Sequence, residues 1–154
     1  MKIELLQLPC DGADFTGQED AAILELAGDP HLRLEGPVRY DLFAQVVGRE
    51  LLVRGRLDVP AAPRCARCGA FFSTSVRLLS FLRSYALSEG VESVDLTEDI
   101  REDLLLGLPN FPLCSPDCKG LCPRCGRDLN RGPCGCPAAP PDRRWAALGG
   151  LKLP

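Results

Sequence analysis

The sequence predicts an α+β fold: an antiparallel β-sheet, whose strands could curve toward a barrel, with one packed helix and a cysteine-rich, zinc-binding C-terminal lobe. Three observations support this prediction. Apolar and polar residues alternate through the middle of the chain, one amphipathic helical segment follows, and eight of the nine cysteines form four closely spaced pairs. With 154 residues, the chain can bury a core without covalent cross-links.

Period-two patterning predicts three consecutive antiparallel strands. Two alternating runs lie on either side of Gly48, which is typical of a β-hairpin, and a third run follows the first cysteine pair. The alternating positions are Val38, Tyr40, Leu42, Ala44 and Val46, then Leu51, Val53, Gly55, Leu57 and Val59, then Phe72, Thr74, Val76 and Leu78. We therefore expect a meander of at least three strands.

The segment DLTEDIREDLLLGLP, residues 95–109, predicts an amphipathic helix of about three turns. Thr97 is expected to cap its start, acidic residues in the first turn complement the helix dipole, and Gly107 and Pro109 end it. Its charged face is expected to be a solvated surface, and its apolar face should cover one side of the sheet. The apolar positions are Leu96, Ile100, Leu104 and Leu108.

Two regions follow from these elements. Residues 1–112 should form the sheet and helix and include the first cysteine pair at 65–68, although the pattern assigns no element to residues 1–31. Residues 113–154 should form the cysteine-rich lobe and a basic tail, in one compact unit with the sheet. The last stretch, PPDRRWAALGGLKLP, fits either a short helix or an extended tail.

The start of the chain, MKIELLQLPC, lacks the pattern of a secretory signal, and no apolar run is long enough to span a membrane. We therefore expect a cytoplasmic protein with no membrane partner. Because cytoplasmic thiols are kept reduced, the nine cysteines favour metal binding over disulfides.

Charge is distributed unevenly along the chain. The net charge is −3, which argues against indiscriminate nucleic-acid binding. Residues 1–118 contain 11 basic and 19 acidic residues, whereas residues 119–154 contain 7 basic and 2 acidic residues. The basic end of an acidic protein indicates where an anionic partner would bind.

The pieces CARCG and CPRCG are both typical of zinc knuckles. Two thiolates two residues apart can bind one ion, and the glycine after the second cysteine permits the left-handed backbone that closes the turn. With the other two pairs, the sequence predicts two Cys₄ zinc sites. The eight predicted ligands are Cys65, Cys68, Cys114, Cys118, Cys122, Cys125, Cys134 and Cys136. Cys10 is left over and is most simply a structural thiol.

Two pairings of these cysteines are open. In the sequential pairing, the first four ligands bind one zinc and the last four bind the other. In the rival pairing, the two knuckles share one ion. We favour the sequential pairing, because only a short loop separates Cys125 from Cys134 and the second site can close locally.

These zinc sites are predicted to be structural. A catalytic zinc usually keeps an open position and uses His or carboxylate ligands, whereas four thiolates close the shell. The single histidine, His31, is expected to be a surface residue. A redox CxxC would be expected at the start of a helix in a βαβ unit, and no nucleotide or nucleophile fingerprint is present. We therefore expect no enzyme activity and no small-molecule substrate.

The chain resembles the bacterial large ribosomal RNA subunit accumulation protein family, of the YceD type. The likeness covers most of residues 32–148. It is carried by CARCGAFF, DLTEDIREDLLLGLPNFPLC, CSPDCKGLCPRCGRDLN with the following CGC, and DRRWAAL. The resemblance implies a non-catalytic ribosome-biogenesis factor that supports the synthesis, processing or stability of 23S rRNA, and hence assembly of the large subunit. Its implied partners are rRNA or a pre-50S particle, and ribosomal proteins.

Basic residues on and beyond the second zinc site are the candidate RNA contacts. Arginine side chains fork onto phosphates and stack on bases, and an aromatic ring can stack on an unpaired base. The candidates are Lys119, Arg124, Arg127, Arg131, Arg143 and Arg144. For Trp145 we favour packing against the core. The acidic stretch before and within the helix would repel RNA and fits a basic ribosomal protein or solvent.

Two alternative functions remain open from the residues. The chain could be a thiol-based redox or stress sensor, in which case it would hold little metal and form disulfides readily. It could also be a zinc-ribbon transcription accessory protein, which would bind duplex DNA or RNA polymerase.

Overall fold

The computed structural model describes residues 1–137 and Arg144. In this part of the chain, antiparallel sheets and one α-helix confirm the α+β class. The strands are β1 (Lys2–Glu4), β2 (Ala13–Glu19), β3 (Leu32–Leu34), β4 (Val38–Val47), β5 (Glu50–Pro63), β6 (Thr74–Ala86) and β7 (Ser93–Asp95). The helix is α1 (Thr97–Leu106), and short 3-10 helices span Leu5–Gln7, Ala21–Leu24 and Leu129–Arg131.

The main sheet contains five strands in the order β2-β4-β5-β3, with β6 paired to β5. The two runs flanking Gly48 form the hairpin β4–β5, in which Val47 lies opposite Glu50. β6 then pairs antiparallel with β5. The predicted three-strand meander is therefore confirmed, although Phe72 precedes β6, which begins at Thr74.

The sheet is not closed into a barrel, so the suggestion of a barrel-like sheet is wrong. Within residues 1–137, β2 and β6 do not pair with each other and remain the two edges beside the β4–β5 hairpin. The 14-residue β5 outruns β4, and its last residues pair with β3 on that side. The apolar face of the sheet is buried by α1, the 3-10 helix at Ala21–Leu24 and β1 instead of by closure of the sheet on itself.

A β-bulge interrupts the pairing of β5 with β6. Gly55 lies opposite Phe81 and Leu57 lies opposite Leu78, so Leu79 and Ser80 together face the single residue between Gly55 and Leu57. The extra residue shifts the alternation of β6 by one position. As a result Phe81 is buried, whereas Leu79 is 73% exposed.

Residues 1–31, to which the sequence pattern assigns no element, contain the two strands β1 and β2. β2 joins the main sheet beside β4, and β1 pairs with β7 in a separate two-stranded sheet. The core collects apolar side chains from both sheets, the helix and the 3-10 helix at Ala21–Leu24. Its largest fully buried members include Ile3, Leu24, Leu42, Leu51, Leu57, Phe81, Leu96, Ile100 and Leu104.

The helix begins and ends close to the predicted residues, but its start is stabilised differently. Thr97 is the first helical residue and not the cap: the Asp95 carboxylate accepts hydrogen bonds from the Thr97 amide, at 3.0 Å, and hydroxyl, at 2.6 Å. These bonds lower the pKa of Asp95. Ile100 and Leu104 are buried as expected. Among the described residues, no helix has the length and apolar character needed to cross a membrane.

Candidate metal centres

The first knuckle is a tight hairpin that begins where β5 ends. The Cys65 amide donates to the Ala70 carbonyl at 2.8 Å, and the Gly69 amide donates to the Cys65 carbonyl at 2.9 Å. Gly69 has a φ of +72°, the left-handed conformation that glycine adopts without strain. The sequence prediction that this glycine closes the turn is confirmed.

The second knuckle repeats this geometry. The Cys122 amide donates to the Arg127 carbonyl at 2.8 Å, the Gly126 amide donates to the Cys122 carbonyl at 2.9 Å, and Gly126 has a φ of +71°. The β-bridges Arg64 to Phe71 and Leu121 to Asp128 flank the two knuckles at equivalent positions. The two pieces that look alike in sequence therefore adopt the same backbone structure.

The structure groups the eight cysteines as the sequential pairing expects. One group contains Cys65, Cys68, Cys114 and Cys118, and the other contains Cys122, Cys125, Cys134 and Cys136. Within each group the ligand atoms all lie within 4.8 Å of one another. The rival arrangement, in which the two knuckles share one ion, is not the one adopted. Cys10 is exposed and belongs to neither group.

The sulfur spacing in the first group fits a tetrahedral thiolate site. The Sγ atoms of Cys65 and Cys118 are 3.8 Å apart, as are those of Cys68 and Cys114. A Zn–S bond of about 2.3 Å gives a tetrahedron with an edge of about 3.8 Å. A disulfide would require about 2.05 Å. The first group therefore has the spacing of a metal site and not of a disulfide pair.

Two thiols of the first group, those of Cys65 and Cys114, differ in proton affinity. Burial of Cys65 opposes its ionisation, but hydrogen bonds from the backbone of Cys114, Cys68 and Arg67 lower its pKa to about 6. Hydrogen bonding with Cys118, together with burial and the nearby sulfurs, raises the pKa of Cys114 to about 12. Four sulfurs this close retain protons unless a cation balances their charge. A divalent cation would displace those protons.

The second group has the same electrostatic arrangement. Hydrogen bonds from the backbone of Cys125 and Arg124 lower the pKa of Cys122 to about 6. Hydrogen bonds with Cys125 and Cys134 raise the pKa of Cys136 to about 12. Each group thus contains one thiol that ionises readily and one that needs a cation to ionise at neutral pH.

Asn130 connects the two groups, a role that the cysteine spacing does not reveal. Its side-chain amide nitrogen lies 3.4 Å from the Cys118 sulfur, and its carbonyl oxygen accepts a hydrogen bond from the Lys119 amide at 2.8 Å. The Asp128 carboxylate accepts a second hydrogen bond from the same amide nitrogen at 2.7 Å. A residue that lies between two ligands of the second group thereby contacts a ligand of the first group. The sequence indication for this role was the position of Asn130 at the end of the motif CGRDLN.

Arg67 makes a second connection between the first knuckle and the lobe. Its Nη1 atom donates to the carbonyl oxygens of Pro116 and Cys118, each at 3.0 Å. The arginine between the two knuckle cysteines is therefore held against the CxxxC loop. This bridge was also absent from the sequence prediction.

The candidate RNA-contact residues that the structure describes lie on the surface. Lys119, Arg124 and Arg127 are exposed, and so is Arg131, whose Nε lies 3.6 Å from the Asp128 carboxylate. Arg144 is also exposed. Arg143 and Trp145 lie outside the described residues. Both metal groups consist of cysteines alone, and His31 is not a member of either group.

Residues 84–152 match the family described as large ribosomal RNA subunit accumulation protein YceD. The matched segment contains α1 and six of the eight grouped cysteines, including the whole second group. The first knuckle precedes it.

Several known proteins are similar to the chain. An uncharacterized protein of Mycobacterium bovis is 35% identical over 122 residues, which cover 70% of this chain and 58% of that protein. An uncharacterized protein of Mycobacterium leprae is 30% identical over 132 residues, covering 77% of this chain and 60% of that protein. The chain thus spans less than two thirds of the length of these relatives.

A chloroplastic protein of Arabidopsis thaliana is also similar. Named as homolog 1 of the large ribosomal RNA subunit accumulation protein YCED, it is 32% identical over 62 residues, which cover 40% of this chain and 19% of that protein. No solved structure matches the chain. The match over residues 84–152 confirms the resemblance to the YceD family inferred from the cysteine motifs.

Proposed function

We propose that this protein is a non-catalytic, cytoplasmic factor that supports the synthesis, processing or stability of 23S rRNA and the assembly of the large ribosomal subunit. The family match over residues 84–152 is the observation that carries this proposal. The Arabidopsis relative, whose name refers to accumulation of large-subunit rRNA, supports it.

Zinc would stabilise the protein without taking part in a reaction. All four donors of each group are cysteine sulfurs, and a tetrahedral shell of thiolates suits Zn²⁺ and leaves no open position for a substrate. Tetrahedral sulfur also suits iron, so elemental analysis distinguishes the two metals. Because the first group takes ligands from both regions, residues 1–112 and 113–154 would act as one compact unit.

Exposed cations on the lobe would contact RNA. Arg124 and Arg127 lie on the second knuckle, and Lys119 and Arg131 lie close to it in the chain. Guanidinium groups can form paired hydrogen bonds to phosphates and stack on exposed bases. A metal-braced hairpin would hold these side chains in a fixed arrangement, which reduces the entropy lost on binding. Arg143 and Arg144 are proposed to extend this surface.

Depletion of the protein tests the proposal, with the ratio of 23S to 16S rRNA as the readout. We expect this ratio to fall and precursors of the large subunit to accumulate. Wild-type protein should restore the ratio, and a variant combining Arg124→Ala, Arg127→Ala and Arg131→Ala should not. A matched control combines Arg39→Ala, Arg54→Ala and Arg56→Ala, three exposed arginines of the sheet. An unchanged ratio after depletion would refute the proposed function.

A further inference from the structure

A groove of about 570 Å³ lies where the sheet meets the cysteine-rich lobe. Four segments line it: the residues leading into β3, the first knuckle, the loop that follows α1, and Leu121 at the start of the second knuckle. The groove adjoins the first cysteine group, because Cys65 is among its lining residues. Neither the sequence motifs nor the family match assigns a role to it.

The walls of the groove are largely apolar. They include Leu26, Leu32, Leu108 and Pro112. Phe111 lies between lining residues of the loop that follows α1, and it is 83% exposed. Its ring is open to solvent beside the groove and is therefore available to contact a ligand.

Two arginines give the groove a positive rim. The Nε atom of Arg64 donates to the Gly69 carbonyl at 2.8 Å, and Nη1 of Arg67 donates to the carbonyls of Pro116 and Cys118. Each guanidinium is thereby held in position by part of its donor set. Both side chains remain exposed, so their other N–H groups can bind an anion.

The acidic residue of the groove is already engaged. Asp29 is the one carboxylate among the lining residues that the structure describes. Its Oδ1 atom accepts hydrogen bonds from the amides of His31, at 2.6 Å, and Leu32, at 3.0 Å. One oxygen of the carboxylate is therefore turned toward the backbone, and Arg64 and Arg67 supply the positive charge of the rim.

We propose that this groove binds an unpaired nucleotide of a single-stranded RNA segment, a role that rests on the proposed function and assigns a specific surface to it. The ligand must combine negative charge with a flat apolar body, and a nucleotide has both. Its phosphate would bind Arg64 and Arg67, and its base would contact the apolar wall and the rings of His31 and Phe111. An acidic peptide with apolar side chains would satisfy the charge but would gain less from aromatic stacking.

The test uses full-length, metal-loaded protein and a fluorescent single-stranded RNA oligonucleotide that contains 4-thiouridine. We expect the combination of His31→Ala and Phe111→Ala to weaken binding about tenfold or more, because stacking on one aromatic ring contributes on this scale. Leu6→Ala removes a comparable exposed apolar side chain, 87% exposed, and should leave binding unchanged. Photo-crosslinks should map to the peptides that contain His31 or Phe111.

The outcomes separate this inference from the proposed function. If wild-type protein binds the oligonucleotide but the double variant binds equally well and no crosslink maps to the groove, the inference is overturned while the proposed function stands. Binding of a Glu- and Leu-rich peptide in place of RNA, weakened by the same substitutions, would also overturn it and would make the groove a protein site. The effect of depletion on 23S rRNA tests the proposed function independently. Metal content and melting temperature should match wild type in both variants, since the substituted side chains are exposed.

Discussion

The sulfur atoms of Cys65 and Cys118 lie 3.8 Å apart, although 53 positions separate the two residues in the chain. One belongs to the knuckle at the end of β5 and the other to the CxxxC loop of the lobe. The first cysteine group therefore joins distant segments. The second group, by contrast, is confined to residues 122–136.

This difference predicts unequal effects of removing each group. Combining Cys122→Ser with Cys125→Ser should lower the zinc content from about two ions per chain to about one and loosen the lobe, while the sheet stays folded. Combining Cys65→Ser with Cys118→Ser should also remove one ion but lower the melting temperature of the whole domain. Elemental analysis and circular dichroism measure both effects.

Cys10→Ser is the matched control, because Cys10 is exposed and outside both groups. It should retain two ions. Wild-type protein purified under reducing conditions with little metal and readily formed disulfides would contradict the zinc sites and favour a thiol-based sensor. Loss of both ions in the Cys122 and Cys125 variant would contradict two independent sites.

Zinc affinity should rise with pH, since ion binding displaces protons from the thiols. Without a cation the pKa of Cys114 and that of Cys136 are about 12, so each group must release at least one proton at neutral pH. The logarithm of the apparent affinity should therefore increase by at least about one unit per pH unit between pH 6 and 8. Below about pH 6 the dependence should steepen, because Cys65 and Cys122 also become protonated. Competition with a chelator of known proton affinity provides the measurement, and a flat profile would be inconsistent with thiol ligands.

Asn130→Ala should weaken zinc binding at the first group by about 10- to 100-fold, the usual effect of removing a partner of a metal ligand. The reason is that the Asn130 amide lies 3.4 Å from the Cys118 sulfur. Chelator titration of the two sites measures the change. Asn110→Ala, at an exposed loop position, should have little effect. Equal affinities for the two variants would remove Asn130 from the site.

Tyr85→Phe should lower the free energy of unfolding by about 1–2 kcal/mol, because a hydrogen bond to a charged group is lost. The Tyr85 hydroxyl donates to the Asp99 carboxylate at 2.6 Å and so ties β6 to α1. Burial and this hydrogen bond raise the pKa of Tyr85, so its contribution persists below the ordinary tyrosine pKa and is lost as the pH rises above it. Urea unfolding tests this, with Tyr40→Phe as the control. A similar loss in both variants would show that the hydroxyl of Tyr85 contributes nothing specific.

Gly55→Ala should destabilise the sheet by about 3 kcal/mol or more, through overpacking at a site where the backbone cannot yield. A Cβ atom there would collide with the Asp41 carbonyl oxygen and lie 2.7 Å from Leu42 Cα on the neighbouring strand. Gly48→Ala is the control: it is strained by a φ of +64° but meets no atom within 4 Å, so it should cost about 1 kcal/mol. Chemical unfolding of both variants makes the comparison. The close approach of β4 and β5 would be in doubt if Gly55→Ala were the milder change.

The hairpin, the helix, the cysteine pairs and the second metal group could be predicted because their signals are local. Alternation around Gly48 defines the hairpin, four-residue spacing from Leu96 to Leu108 defines the helix, and the short loop after Cys125 favours the sequential pairing. The arrangement of the sheet edges could not be predicted, because it depends on the long-range pairing of β3 with β5. That pairing leaves no periodic pattern in the sequence. The same holds for β2, whose run contains Gly17 and few apolar residues.

The bridging residues were missed for a related reason. Asn130 and Arg67 act through contacts with segments 12 and 51 positions away, to Cys118 in both cases. Single polar side chains carry no periodicity, so only the folded arrangement shows which sulfur or carbonyl they meet. The bulge at Leu79 is similar, because it becomes visible only when β6 is aligned against β5.

In-cell crosslinking followed by sequencing of the bound RNA tests the proposed role most directly. The protein is crosslinked to its RNA neighbours with ultraviolet light, purified under denaturing conditions, and the attached RNA is compared with that recovered from untagged cells. The account predicts strong enrichment of 23S rRNA and its precursors, reduced by the arginine substitutions in the lobe. Crosslinked RNA with the same composition as the untagged control, or with no preference for 23S over 16S rRNA, would contradict it.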